Sequence, residues 1–362
     1  MAFSALLVCA FGLGTVALIA LGVPRERDVE FRALSMAAGL GLLGLLLGVL
    51  GLLGWFRSAR WLIPAGALTS LVWWAACGRA LPRLRLRWPS VGAVMLSAMV
   101  AAAGLGAVAP VTEENSLSYT LPIADRIAVE GRSRFWPDRA HSIYPLSQEL
   151  LEAVLIDAGD ERHGLLSAAE LALAALLIVV LARRIAREAA APAVAAIVAL
   201  GCPSVAFLAA STKEDLLLLV MTVASALVLD LAPGLGSVAG AGVFAGLAAG
   251  SKYTGVPIAF AVVLCVPFCC GRGRRLGSLA VATLAAIAAG GLWYGVNIAR
   301  FGNPLPPFMP SVGHFPVTPD IADAWLSGFG YGRAPLDAGG ARVGEASMSK
   351  ISVVRAGGQA RS

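Results

Sequence analysis

The sequence predicts an all-α polytopic membrane protein of about ten transmembrane helices, with a large outer-face loop that contains short amphipathic helices. Apolar runs of about 20 residues, the length that crosses a bilayer, recur along the 362-residue chain. Apolar residues make up 58% of the chain and charged residues 14%, whereas a soluble domain has about 25% charged residues. One helical bundle in lipid is therefore expected, although the length would suit two soluble domains.

Ten apolar runs are predicted to be helices. They span residues 3–22, 33–56, 60–77, 91–109, 164–182, 191–210, 215–232, 236–250, 254–270 and 277–296. The first run lacks a basic N-terminal region and has full spanning length, which favours a membrane helix over a signal peptide. Glycine and alanine at four-residue spacing predict close helix packing. The chain divides into leading helices (1–90), a core with an outer loop at 110–163 (91–310), and a weakly structured outer-side tail (311–362).

Arginine clusters in short loops predict the orientation, because such loops stay in the cytoplasm. The clusters are Arg79, Arg83, Arg85 and Arg87; Arg183, Arg184 and Arg187; and Arg272, Arg274 and Arg275. Alternation of the spans then puts residues 112–163, 211–215, 250–253 and everything from 300 onward on the outer side. These clusters carry most of the net charge of +6. They are not interleaved with aromatic residues, so nucleic acid is not an expected partner and anionic membrane lipid is.

The sequence gives little support for a metal or a disulfide framework. All six cysteines lie inside or at the ends of apolar spans, without a CxxC pair. His141 is a single histidine without a histidine or cysteine at ligand spacing, so metal ligation is disfavoured. No cofactor is predicted with certainty. A divalent cation at Glu114 and Asp215 stays open, although no cluster of ligands supports it.

The polar loop at 110–163 is the first place to look for chemistry. Glu113 and Glu114 follow a predicted helix that ends near residue 110. A partly desolvated carboxylate there can take a proton from a hydroxyl group, because burial raises its pKa. The alternative is that both residues simply mark the water interface. Residues 117–131 then predict a short amphipathic helix on the membrane surface.

Basic residues on the predicted outer side are candidate phosphate ligands. Arg132, Arg134 and Arg139 could hold a phosphate, or could contact headgroups and pair with nearby acids. Lys252 lies in a break between two apolar spans, where a lysine is unfavourable unless it snorkels or meets an anion. Lys213 and Asp215 lie in a similar break, where the acid could also favour the helix dipole.

Five blocks in order resemble the C-type membrane glycosyltransferases, specifically the bacterial relatives of protein mannosyltransferases and of the aminoarabinose transferase of lipid A. Family patterns like WDSLSYHLP and FYPxxxxSxFPxxxE are matched by ENSLSYTLP at 114–122 and FWPDRAHSIYPLSQE at 135–149. Patterns like SSTAKNDL and GTKYTAL are matched by ASTKEDL at 210–216 and GSKYTGV at 250–256. WYxxNxxxxGNPxxPF is matched by WYGVNIARFGNPLPPF at 293–308.

This resemblance implies transfer of a sugar from a polyprenyl-phosphate donor to an acceptor hydroxyl, at the outer face of the bacterial inner membrane. A first-loop carboxylate would be the general base, and basic residues at later breaks would hold the lipid phosphate. Glu114 is the first candidate for the base and Glu113 the second, with Lys252 on the phosphate. The other candidate substrate-binding residues are Tyr119, Asn115, Arg126, Arg139, His141, Lys213, Asp215 and Tyr253.

The sequence departs from the family at two points. Asn115 occupies the position of the family's aspartate, and Thr120 that of its histidine. The relatives also continue with more spans, whereas this chain continues into the predicted tail. Two alternatives follow: a truncated or catalytically degenerate relative that binds lipid phosphate, and a non-enzymatic transporter. The sequence does not indicate an oligomeric state.

Overall fold

The computed structural model describes residues 1–24, 28–76, 91–136, 139–231, 234–270, 272–306 and 308. It contains fourteen α-helices within these residues. They are α1 (Ala2–Ala20), α2 (Asp28–Leu52), α3 (Ala59–Ala76), α4 (Val91–Val108), α5 (Leu121–Glu130), α6 (Ser147–Asp157), α7 (Gly164–Ile185), α8 (Ala191–Leu200), α9 (Pro203–Leu208), α10 (Asp215–Leu231), α11 (Leu235–Ser251), α12 (Gly255–Cys269), α13 (Arg275–Gly290) and α14 (Leu292–Phe301). The described residues form no strand, and the predicted all-α polytopic class is confirmed.

In the described part of the chain, four helices are long and apolar enough to cross a bilayer, namely α1, α2, α4 and α7. A fifth span results if α13 and α14 are counted together, and α8, α11 and α12 are shorter apolar helices. The count of about ten crossings therefore stays a prediction. The arginines at positions 79–87 and the tail at 311–362 lie outside the described residues.

Two predicted helices are interrupted. The run 191–210 is divided between α8 and α9, because Cys202 is extended and precedes Pro203, whose ring disfavours a helical preceding residue. The run 277–296 stops at Gly290, and a new helix starts at Leu292. Consecutive glycines weaken a helix at this point.

The described residues fall into two compact units, one within 1–135 and 141–293, and the other within 136–140 and from 294 onward. In the first unit small residues allow helices to approach closely, as predicted. Gly39 of α2 lies against the backbone of Ala10 in α1, so closely that a side chain would clash. Gly246 of α11 contacts the backbone of α13 at Ala286 and Gly290 in the same way.

The predicted outer segments of the first unit meet at one end of its helices, which we call the loop end. Backbone hydrogen bonds join the 110–163 loop to the last turn of α2, from Ser133 to Gly51 (2.9 Å). Ser147, at the start of α6, donates a 2.8 Å hydrogen bond to the carbonyl of Gly250 near the end of α11. The N-terminus of α7 packs there too, with Gly164 against Ala107 of α4.

An ion-pair cluster joins three helices at the opposite end. Arg184, in the last turn of α7, lies 2.7 Å from a carboxylate oxygen of Glu30 in α2 and 3.2 Å from Asp230 in α10. Arg184 and Glu30 are largely buried, with side chains 15% and 9% exposed. The arrangement agrees with the predicted alternation, since Arg184 was expected on the side opposite the loop.

We expect Arg184→Gln to destabilise the protein by about 1–3 kcal/mol, because charge-assisted hydrogen bonds to two acids are lost. Arg183→Gln is the matched control, since Arg183 is exposed and makes no ion pair within the described residues. The measurement is the midpoint of thermal unfolding in detergent. Equal midpoints for the two variants would contradict a stabilising role for the cluster.

Candidate functional site

The turn after α4 orients Glu113 through its own backbone. Glu113 accepts hydrogen bonds from the Ser116 amide (2.6 Å), the Ser116 hydroxyl (2.7 Å) and the Asn115 amide (3.1 Å). Burial alone would raise the pKa of Glu113, but these hydrogen bonds and the nearby Lys213 lower it below its usual value. Glu113 is therefore ionised at neutral pH.

The break before α10 contacts this turn. The Thr212 amide donates a 3.0 Å hydrogen bond to the Ser116 hydroxyl. Lys213 Nζ lies 3.6 Å from Glu113 Oε1, and the Lys213 and Glu113 side chains are only 18% and 8% exposed. Segments almost 100 residues apart are thereby held together by one hydrogen bond and one ion pair.

Lys252, in the break after α11, completes the arrangement. Its backbone is extended, which ends α11 and turns the side chain toward α10. Its Nζ atom lies 2.8 Å from Asp215 Oδ1 and 3.1 Å from Glu214 Oε1. Burial would lower the pKa of Lys252, but the carboxylates of Glu214 and Asp215 raise it above its usual value. Lys252 is therefore fully charged.

Glu113, Lys213, Glu214, Asp215 and Lys252 form what we call the lysine–carboxylate cluster. When all five are ionised, three carboxylates and two ammonium groups leave an excess of one negative charge. The lysines are already neutralised by the protein. An anionic ligand must therefore share them with the carboxylates or displace a carboxylate.

A row of aromatic side chains lies beside the cluster. Tyr119 stacks on His141 at a centroid distance of 4.2 Å, and Tyr144 contacts the edges or faces of His141 (5.5 Å) and Tyr253 (5.0 Å). Burial is the main cause that raises the pKa of Tyr119 and Tyr144, and the negative charge of Glu214 raises it further. Burial also lowers the pKa of His141 to about 4, so its ring is neutral at physiological pH. The row gives the site an apolar, neutral wall.

Several buried polar atoms around the cluster have no hydrogen-bond partner within the described residues. They are Thr120 Oγ1, Thr212 Oγ1, Glu149 Oε2 and Glu214 Oε2. Buried polar groups are normally satisfied, and exceptions concentrate where a ligand or water binds. These atoms therefore favour a polar ligand at the cluster.

Sequence reasoning missed three buried acids near the loop end: Glu149 and Glu152 of α6 and Glu170 of α7, each no more than 3% exposed. Burial is the main cause that raises the pKa of Glu149, and the negative charge of Glu214 raises it further. Burial raises the pKa of Glu152 to about 7. The sequence did indicate Glu149, because this residue ends the block 135–149 that carries the family resemblance. Its three-residue spacing from Glu152 also places both acids on one helix face.

The lysine–carboxylate cluster as defined does not include the other predicted site residues. Glu114 and Asn115 are exposed, and the Glu114 carboxylate makes no hydrogen bond or ion pair within the described residues. Arg126 forms a 2.9 Å ion pair with Glu130, which also meets Arg134 at 3.1 Å. Arg139 belongs to the second compact unit, where its amide donates a 2.8 Å hydrogen bond to the Trp136 carbonyl.

No group of three or more His, Cys, Asp or Glu side chains in the described part of the chain is arranged to hold a metal ion. The divalent cation considered for Glu114 and Asp215 therefore gains no support from the geometry. Glu114 points into solvent, whereas Asp215 is paired with Lys252.

Two family models match parts of the chain. Glycosyltransferase family 87 matches residues 162–336, which include the breaks that carry Lys213 and Lys252. The DUF1420 N-terminal domain matches residues 88–233, which include the 110–163 loop. No curated protein and no solved structure matches the chain.

The match to family 87 indicates a membrane glycosyltransferase of the C type. It supports the general class that the sequence motifs predict. It does not extend to the protein mannosyltransferase or aminoarabinose transferase relatives that the motifs resemble.

Glu152 gives a testable pH dependence. Its carboxyl pKa rises from 4.5 to about 7 on folding, so the folded state binds the proton more tightly and stability falls as pH rises between these values. At pH 8 we expect Glu152→Gln to be more stable than the wild type by about 3 kcal/mol, and equal to it near pH 4. The midpoint of thermal unfolding against pH measures this.

The control for this experiment is Glu161→Gln, which removes an exposed carboxylate only four residues from α6. Its unfolding midpoint should follow the wild type at every pH. Parallel wild-type and Glu152→Gln curves would show that folding does not raise the pKa of Glu152.

Proposed function

We propose that this protein transfers a sugar from a polyprenyl-phosphate donor to an acceptor hydroxyl at the outer face of the bacterial inner membrane. The observation that carries the proposal is the convergence of three segments distant in sequence, around Glu113, Lys213–Asp215 and Lys252, at one end of the helices. Lys213–Asp215 and Lys252 lie in blocks that resemble the membrane glycosyltransferases, and Glu113 directly precedes a third such block. The family 87 match supports the reaction class.

In this reaction the acceptor oxygen attacks the anomeric carbon of the donor. A bond forms between that carbon and the acceptor oxygen, while the bond to the phosphate oxygen breaks. The hydroxyl proton passes to a carboxylate, and polyprenyl phosphate leaves with the electron pair. Direct displacement of this kind inverts the anomeric configuration.

Glu113 is the proposed base, in preference to the adjacent Glu114. Its carboxylate is held toward the cluster by Ser116 and Lys213, whereas Glu114 is exposed. Because Glu113 is ionised at neutral pH, it can accept a proton there. The turn therefore directs the two adjacent acids differently, with Glu113 toward Lys213 and Glu114 toward solvent.

Lys252 is the proposed contact for the phosphate, with Lys213 beside it. An ammonium group has three N–H donors, and Asp215 and Glu214 account for two of those on Lys252. The third donor remains for a phosphate oxygen. The leaving phosphate gains negative charge in the transition state, so a fixed ammonium group favours its departure.

The aromatic row provides the proposed contact for the sugar. Tyr119 and Tyr253 supply aromatic rings beside the cluster, and ligand pockets are commonly lined by aromatic side chains. The unpartnered hydroxyls of Thr120 and Thr212 offer hydrogen bonds to sugar hydroxyls. These features support a phosphosugar over an inorganic anion.

We expect Glu113→Gln to reduce sugar transfer by about 10²- to 10⁴-fold, since a general base contributes that much. Glu114→Gln is a matched control that removes the neighbouring carboxylate and should retain most activity. The assay follows labelled sugar from a synthetic polyprenyl-phosphate donor into product, with protein reconstituted in lipid vesicles.

The reverse outcome, loss of activity in Glu114→Gln with Glu113→Gln unaffected, would assign the base to Glu114. Wild-type protein that binds the donor without transfer would contradict the enzymatic proposal and favour a degenerate relative. An absence of donor binding would favour a transporter.

A second prediction concerns Lys252. We expect Lys252→Met to reduce transfer by at least about 10²-fold, through the loss of charge on the phosphate. This variant also leaves Glu214 and Asp215 without their lysine, so it could be unstable. Lys252→Met with Glu214→Gln restores the charge balance, and it should unfold near the wild-type temperature while remaining inactive. Full activity in this double variant would exclude Lys252 from catalysis.

A further inference from the structure

A second polar region at the loop end lies outside the lysine–carboxylate cluster. It is a cavity of about 460 Å³ in the first compact unit, lined by one helical face of residues 117–125 and by the connection from α6 to α7. Small-molecule sites commonly have volumes of about 300–1,000 Å³. The cavity is therefore large enough for a ligand of the size of a sugar.

The cavity contains a histidine supported by a buried acid. His163 lines the cavity, and its Nδ1 atom lies 3.5 Å from Oε2 of Glu152, whose side chain is completely buried. Neither oxygen of Glu152 has a hydrogen-bond partner at ordinary distance within the described residues, and His163 is its ion-pair contact there. Contact with Glu152 raises the pKa of His163.

This pairing directs the other ring nitrogen of His163 toward the cavity. Because Nδ1 faces Glu152, Nε2 lies on the opposite side of the ring and has no protein partner in the part of the chain that the structure describes. Nε2 donates a hydrogen bond when the ring is charged and accepts one when it is neutral. A hydroxyl group satisfies both states, whereas a cation or an anion satisfies only one.

The remaining lining is suited to a polyhydroxylated ring. Asp125 and Glu161 are exposed carboxylates without an ion pair in the described residues, and each can accept hydrogen bonds from neighbouring hydroxyls. Asp160 is held by Arg162 through two 2.8 Å contacts, so its charge is already balanced. The apolar part of the lining is formed by Leu117, Leu121, Pro122 and Ile156.

We propose that this cavity binds an uncharged sugar unit of the acceptor, with His163, Asp125 and Glu161 as hydrogen-bonding partners. The role of this sugar as part of the acceptor rests on the proposed function, but the binding of a sugar in the cavity does not. A metal ion is disfavoured, because no three potential ligands in the described residues are arranged around one point.

The cavity would hold a part of the acceptor that does not react. Leu117 and Leu121 face the cavity, whereas Ser116 of the same helical stretch contacts the cluster through Thr212. The two regions therefore lie on different faces of this stretch, since consecutive helical residues point about 100° apart. Binding energy from a remote sugar unit can position the reacting hydroxyl, as for other extended substrates.

The test is saturation-transfer difference NMR on the full-length protein in a detergent without a sugar headgroup. The probes are methyl α-D-mannopyranoside, methyl α-D-glucopyranoside and methyl β-D-galactopyranoside. We expect a signal from at least one glycoside, and a decrease of at least fivefold in Asp125→Ala with Glu161→Ala. His163→Phe should have the same effect. The control is Glu188→Ala, which removes an exposed carboxylate after α7 and should leave the signal unchanged.

Three results would overturn the proposal. The first is the absence of a signal with every glycoside, and the second is a signal that persists in the double variant. The third is calcium or magnesium binding that the double variant abolishes and that excludes the glycosides. The assay involves no donor and no turnover, so wild-type protein that binds the donor without transfer would overturn the proposed function and leave this binding result intact.

Discussion

The ion pairs of Lys252 with Glu214 and Asp215 are the interaction on which the site depends. In a protein dissolved in lipid, charges at helix breaks are unfavourable unless they neutralise one another or reach water. Pairing across the two breaks meets this requirement, and it also fixes the start of α10 against the end of α11. Lys213 and Glu113 then attach the loop to the same point. The same ion pairs therefore neutralise these charges and hold the segments of the site together.

The first compact unit separates two kinds of interaction along its helices. Small residues such as Gly39 and Gly246 bring helix backbones into contact within the apolar part. Ion pairs occupy the ends, with Arg184 at one and the lysine–carboxylate cluster at the other. Because apolar packing has little directional preference in lipid, the ion pairs supply much of the specificity with which helices are paired at each end.

The sequence predicted most helices, because apolar runs of spanning length are visible without knowledge of tertiary contacts. It did not predict the break before Pro203, since hydropathy averages over a window and does not register one extended residue. At the site, Lys252 and Asp215 were chosen for their position in helix breaks, and the structure brings them into contact. The choice between Glu113 and Glu114 depends on a hydrogen bond to Ser116, which residue spacing does not determine.

The charge of the cluster has a consequence for the proposed reaction. A polyprenyl-phosphate sugar carries one negative charge on its phosphodiester, and the leaving phosphate monoester carries nearly two. Because Glu214 and Asp215 already neutralise Lys252, the cluster gives the donor little net attraction in the ground state. As the bond to the sugar breaks, the growing phosphate charge competes better with these carboxylates for the lysine. The stabilisation is therefore larger in the transition state than in the bound donor, which is the condition for catalysis.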